Sequence, residues 1–393
     1  MQRLASRLDQ VRPSATIAVK LEADRLREQG VDVIDFGPGE PDFNAPDNVK
    51  QAAHRAIDEN MSHYLPTLGL PALRRAIAAS YASRYGADYT ETEVIVGCGG
   101  KNALFAAALA LFDRGDEVII PAPYWVSFPE QVLLSGATPV IQQCRAADGF
   151  VPRAADSERL VSSATRAIIL CSPSNPTGAV IPAGELARFA DLAVGKDLLL
   201  IFDECYEKFL YDGREHASLA REHRRLRDRL VLVSTFSKSY AMTGYRVGYA
   251  VASRELISAM AIVQSHDCTH PTSIAQAAAL EALSGPQDDL AAMILEYTRR
   301  RDRMVAGLRS IPGLSCEEPA GAFYAFPGVE ALYDRFGVSD SMGLAAELLR
   351  RARIATVPGE AFGAPGFLRF SYALSTERIQ EGIDRLRAAI SHG

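Results

Sequence analysis

The chain has 393 residues, 48% of them hydrophobic and 23% charged, with a formal net charge of −6. At about 150 residues per domain that length gives two to three domains with a large core, the composition is that of a soluble globular protein, and the acidic balance argues against a nucleic-acid partner. No apolar run reaches the ~18 residues of a membrane span, no cleavable leader is recognisable, and six cysteines follow neither disulfide nor zinc spacing, so a reduced, cytoplasmic protein with no metal is expected.

The first apolar strand candidate, 94–97, runs into Gly97-Cys98-Gly99-Gly100-Lys101-Asn102 and an Ala-rich helical stretch over 101–111. A glycine-rich turn that opens a helix offers backbone amides and the positive end of the helix dipole to an anion, although a tight corner alone has the same look. Strand candidates at 118–121, 167–172, 198–203, 230–234 and 247–252 alternate with helical stretches near 126–135 and 183–195. That alternation predicts an α/β fold with a mostly parallel sheet.

Chemistry collects at the ends of these runs. Ser172-Pro173-Ser174-Asn175-Pro176 is turn sequence, and Asn175 either shapes that turn or offers its amide to a bound oxygen. Leu198 to Phe202 is apolar throughout and ends in Asp203-Glu204, which puts an acid at the carboxyl end of a strand, where open α/β sheets bind ligands. Asp203 either caps a following helix or pairs with a protonated ring nitrogen, and Tyr206 three residues on is expected on the same face. Only six of the 42 basic side chains are lysines. One of them, Lys238, follows the run Leu230 to Val233 among Ser234, Thr235, Ser237 and Ser239, where it is either a solvated loop residue or an amine placed to join an aldehyde cofactor. His266-Asp267-Cys268-Thr269-His270 has no supporting ligand cluster and is expected to be a loop. The arginines at 221–229 and 299–303 are expected on solvated faces.

The C-terminal part changes character, with long amphipathic helices near 286–310 and 376–391 around short segments at 321–326 and 368–372. It is expected to form a smaller α+β domain. The predicted division is a large domain over 45–285 and a small one from 1–44 and 286–393, with a mobile N-terminal segment.

In order, Pro13 to Thr16, Gly39-Glu40-Pro41-Asp42-Phe43, Tyr64, Gly99-Gly100-Lys101, Pro123-Tyr124-Trp125, Asn175-Pro176-Thr177-Gly178, Asp203-Glu204, Ser237-Lys238, Gly244 to Gly248, and Arg369 within Leu368 to Tyr372 resemble the fold-type I pyridoxal-phosphate enzymes. Within them the set is similar to the class I aminotransferases typified by bacterial aspartate aminotransferases, over nearly the whole chain. The resemblance implies pyridoxal 5′-phosphate as cofactor and a homodimer. It makes Lys238 the cofactor-linked catalytic lysine, Asp203 the partner of the ring nitrogen, Asn175 and Tyr206 the pair on the ring hydroxyl, and Trp125 the aromatic stacked on the ring. It assigns Gly99, Gly100, Lys101, Thr235, Ser237 and Arg246 to the phosphate cup, with Tyr64 reaching in from a second subunit.

Arg369 resembles the arginine that grips the substrate α-carboxylate in a bidentate fork, and Gly39 the backbone close to substrate. Lys101, with the hydroxyl of Thr16 or Ser14, is similar to the group that holds a distal carboxylate, which points to aspartate and 2-oxoglutarate. Aromatic, kynurenine, prephenate or methionine transamination, or C–S lysis, are the alternatives. Lys238 must be neutral part of the time, so a pKa below the usual ~10.4 is expected, from imine formation and neighbouring cations such as Arg246.

Overall fold

The computed structural model describes residues 5–391. Seven strands form the main sheet: β1 (Val94–Gly97), β2 (Glu117–Ala122), β3 (Thr138–Gln143), β4 (Thr165–Cys171), β5 (Leu199–Asp203), β6 (Leu230–Thr235) and β7 (Gly248–Val251), in the order β1-β7-β6-β5-β4-β2-β3. Neighbours from β6 through β3 pair in parallel, and β7 runs antiparallel to both β1 and β6. The apolar runs are continuous because both faces are covered. Leu200, Phe202, Leu230 and Leu232 face one hydrophobic cluster with helices Pro71–Tyr85, Ala183–Lys196 and Ser273–Ser284. Leu199, Ile201, Val231 and Val233 face the other, with helices Gly100–Leu111, Ser127–Ser135 and Arg254–Asp267.

β3 is absent from the sequence reading. It is an edge strand, half-exposed, with Pro139 as its second residue, so it lacks the apolar run of its neighbours. A third cluster joins Ile34 and Phe36 to helices Asp288–Arg309, Ser341–Ala352 and Thr376–Ser391 and to a three-stranded antiparallel sheet of Val357–Pro358, Leu368–Ser371 and Tyr324–Ala325. Tyr206, Phe209 and Tyr211, which follow β5, pack into this cluster too.

Two expectations need correction. Arg300 and Arg301 are buried, because helix Asp288–Arg309 turns them inward to carboxylate partners: Arg300 to Asp42 at 2.7 Å and Arg301 to Asp212 at 2.6 Å. His266 and Asp267 end the helix Arg254–Asp267, while His270 accepts from the Leu65 amide at 3.0 Å. Among the described residues no helix is long and apolar enough to cross a membrane, and no three His, Cys, Asp or Glu side chains are grouped to hold a metal ion.

Candidate active site

Sheet register creates the site. Cys171 pairs with Asp203, Asp203 with Val233, and both Thr235 and Gly97 with Gly248, so the carboxyl ends of β1, β4, β5 and β6 meet the start of β7 on one edge. A cleft of about 590 Å³ opens there, and its walls also include Thr16 and Gly39 from the N-terminal segment and Tyr324 and Arg369 from the C-terminal cluster.

On the floor, Asp203 is 4% exposed and its Oδ1 accepts from the Cys205 amide at 3.0 Å. A turn follows it, and no helix, so the capping alternative falls away. Burial pushes its carboxyl up to about 6, with Glu204 adding to the rise and the Cys205 hydrogen bonds and Lys238 opposing it. Lys238 Nζ donates to the Gly39 carbonyl at 2.5 Å. Its pKa lies below the usual lysine range, and burial is the first cause, ahead of Arg246 and Arg369. The neighbouring-cation account was therefore incomplete: desolvation of the ammonium contributes more.

Around one end of the cleft, Gly99 adopts φ 87° and caps helix Gly100–Leu111, whose first amides have no intrahelical acceptor. A Cβ on Gly99 would meet Arg246 Nη2 at 2.7 Å. Arg246, itself left-handed at φ 55°, is held by the carbonyls of Thr243 at 2.9 Å and Cys98 at 3.3 Å. Thr235 Oγ1 bonds Ser237 Oγ at 2.9 Å beside them. Lys101 Nζ lies 5.0 Å from the centroid of the Trp125 ring, and burial, then Arg246, lowers its pKa.

At the other end Arg369 is 1% exposed. Its Nη1 donates to Asn175 Oδ1 at 2.9 Å, its Nη2 to the Gly37 carbonyl at 2.5 Å, and its Nε has no partner. The guanidinium lies 4.6 Å from the Tyr324 ring centroid. Tyr206 and Tyr324 share a hydrogen bond of 2.7 Å between hydroxyls. Thr16 lines the cleft, and Ser14 bonds Thr16 Oγ1 at 2.9 Å without lining it. Tyr64 stands outside, 88% exposed.

Several cleft residues escaped the sequence reading in any role there, among them Lys20, Gly37, Cys171, Cys205, Thr243 and Tyr324. Cys171 was visible as the end of an apolar run and Cys205 follows the acidic pair that closes another, whereas Tyr324 reaches the site through its pairing with Ser371.

The donor set fits pyridoxal phosphate: a glycine cradle a Cβ would fill, a helix N-terminus and Arg246 for a phosphate, Asp203 for a ring nitrogen, and Lys238 for a carbonyl. Fold and donor set together define a class, and the chain belongs to it: it is a pyridoxal-phosphate-dependent aminotransferase, matched over residues 31–386 by the model of the family "Aminotransferase class I and II". Among its relatives, a probable aspartate/prephenate aminotransferase of Aquifex aeolicus is 42% identical over 98% of each chain, and an aspartate aminotransferase of Geobacillus stearothermophilus is 41% identical over 98% of each. A solved aspartate aminotransferase of Thermus thermophilus with maleate is 40% identical, covers 99% of this chain and 100% of its own, and superposes with a TM-score of 0.94. That of Rhizobium meliloti is 39% identical, covers 100% and 99%, and gives 0.95.

Proposed function

We propose that the enzyme moves the amino group of L-aspartate to 2-oxoglutarate in two half-reactions at one site. The observation that carries this reading is Arg369: a buried guanidinium with no carboxylate within 4 Å among the described residues and a free Nε, in a cleft where Lys101 is a second cation. With Lys238 and Arg246 given to the cofactor and Lys20 set against Glu40, Arg369 and Lys101 are the two cleft cations left for a substrate with two carboxylates. Maleate, bound in the Thermus thermophilus relative, is a four-carbon dicarboxylate. When bound, the cofactor supplies the carbonyl that takes up the amino group and the ring that delocalises the electrons left at Cα.

Arg369 fixes the α-carboxylate and so the orientation of the Cα–H bond. Lys238, whose pKa burial lowers, removes and returns the Cα proton. Asp203 holds the proton on the ring nitrogen, Asn175 through its amide NH₂ and Tyr206 through its hydroxyl serve the ring oxygen, and Trp125 covers the ring face. Gly99, Gly100, Thr235, Ser237 and Arg246 receive the phosphate with the Lys101 backbone. The Lys101 ammonium and Thr16, supported by Ser14, take the distal carboxylate beside Gly39. The division into a 45–285 domain and a second from 1–44 and 286–393 is part of this proposal, as is a homodimer in which Tyr64 completes the partner's phosphate site. Relatives named for aspartate and prephenate favour prephenate as a second dicarboxylic acceptor.

A half-reaction panel tests the reading: holoenzyme is mixed with single amino acids, and loss of its cofactor absorbance band is timed. Lys101→Ala is expected to lower kcat/KM for aspartate and glutamate by about 10–100-fold, the worth of one hydrogen bond to a charged group. It leaves phenylalanine and methionine within about threefold. Equal losses on acidic and apolar substrates would overturn the dicarboxylate assignment.

A further inference from the structure

Asp35 lies outside the cleft, ends the strand Ile34–Asp35 that pairs with Ile354–Ala355, and is 2% exposed. Its two oxygens face different parts of the molecule. Oδ1 accepts from the Gly37 amide at 2.8 Å, and the carbonyl of that same Gly37 receives Arg369 Nη2 at 2.5 Å. Oδ2 has no hydrogen bond and lies 3.6 Å from Nη2 of Arg27, in the last turn of the N-terminal helix Ala15–Glu28. That helix carries Thr16, Ile17 and Lys20 into the cleft wall. Its apolar face, with Val19, Ala23 and Leu26, packs on Val33 and Ala355.

The fit at Gly37 is tight from both sides. A Cβ there would meet Asp35 Oδ1 at 2.9 Å and Val19 Cγ1 of the helix at 3.3 Å. A buried carboxylate with one oxygen unbonded is unfavourable unless something compensates. Burial raises the Asp35 pKa, and the Gly37 amide and Arg27 oppose that rise. Asp24 and Lys20 on the helix and Arg369 in the site are the other charged groups that act on it or it on them.

We propose that Asp35 is a positioning residue that fixes the Gly37 carbonyl against Arg369 and holds Arg27, so that seating the N-terminal helix and gripping the substrate carboxylate are coupled. The inference rests on the reading of Arg369 as the carboxylate site. Loss of Asp35 frees the Gly37 amide, and with it the φ and ψ of Gly37 that aim its carbonyl, so one of the two acceptors of Arg369 is no longer fixed in place. Substrate binding suffers, while Lys238 and Asp203 keep their own partners.

The test compares KM and kcat for aspartate in holoenzyme carrying Asp35→Ala, Asp35→Asn, Arg27→Gln or Arg369→Lys. Asp35→Ala, which removes acceptor and charge, is expected to raise KM about tenfold, the scale of one lost hydrogen bond, with kcat changed less than KM. Asp35→Asn keeps an acceptor for the Gly37 amide and recovers most of that loss. Arg27→Gln, on an exposed side of the helix, raises KM about two- to threefold, the scale of a partly exposed ion pair. A merely structural role would lower activity with the folded or cofactor-loaded fraction and leave KM in place. If Arg369→Lys raises KM and none of the other three does, the coupling is wrong and the carboxylate site stands. If Arg369→Lys leaves KM unchanged, the carboxylate reading itself fails. Should Asp35→Ala not fold, the Asn and Arg27 variants still decide.

Discussion

Asp203 carries its charge against the pull of its surroundings. Burial holds its carboxyl near 6, about two units above an unfolded aspartate at ~3.9. A folded-state pKa raised in this way gives stability that is complete below the unfolded value and is lost as pH climbs through the folded one. The cofactor-free protein is therefore expected to lose up to about 3 kcal/mol between pH 4 and 7 through this residue. On the proposed reading a cationic ring nitrogen beside Asp203 would remove the penalty, so the cofactor is expected to stabilise the protein more at pH 7 than at pH 5. Urea unfolding of the cofactor-free wild type and Asp203→Asn across that range checks it, and identical pH slopes would rule Asp203 out as the source. The residue itself was legible, since an acid closing an apolar run is a sequence signal. Its raised pKa was not, because its first cause is burial, and that comes from segments distant in sequence closing over the end of β5.

The turn between β1 and helix Gly100–Leu111 depends on an element far away in sequence. A Cβ on Gly248, the first residue of β7, would land on the Gly100 amide nitrogen and within 2.5 Å of the Gly99 carbonyl carbon, both backbone. One on Gly100 would meet its nearest neighbours at an ordinary 3.5 Å. Gly248→Ala is thus expected to destabilise by about 1–3 kcal/mol, as overpacking does, and to weaken cofactor retention at least tenfold. Gly100→Ala leaves stability within about 1 kcal/mol, because alanine favours the helix. Thermal melts and cofactor loss on dialysis separate the two, and equal effects would refute the steric argument.

The same contrast explains what the sequence disclosed about elements. Strands covered on both faces, such as β5 and β6, stand out as apolar runs. β3, with one side open and a proline inside, and the two-residue strands Ile34–Asp35 and Tyr324–Ala325 do not, because their pairing and not their composition makes them strands. The links from Asp35 to Gly37 and from Tyr324 to Arg369 were hidden for the same reason.

At the scale of the molecule, Tyr64 is an aromatic side chain left almost fully in solvent, on a segment that is nonetheless pinned. The Leu65 amide donates to His270, Gln264 donates to the Thr67 carbonyl at 2.7 Å, and the Leu70 amide donates to Gln276 at 2.7 Å. A rigid, outward-pointing tip suits a site completed by a second copy. Mixing Tyr64→Phe subunits with Lys238→Ala subunits is expected to yield more activity than either alone, approaching one intact site per mixed dimer. Activity of the mixture no greater than the sum of its parts, or a fully active monomer in sedimentation, would exclude the composite site.

The strand order has a further consequence for how the chain is made. β1 bonds within the sheet only to β7, so the first strand to leave the ribosome waits for the last one, some 150 residues later. Until then its apolar edge has no partner, and loop closure over that span is slow. A growing chain stalled before residue 248 thus exposes an open edge that invites pairing with other chains. Synthesis past β7 protects the sheet, and arrival of Arg369 later still completes the cleft, so truncated products are prone to clump before they are able to bind anything.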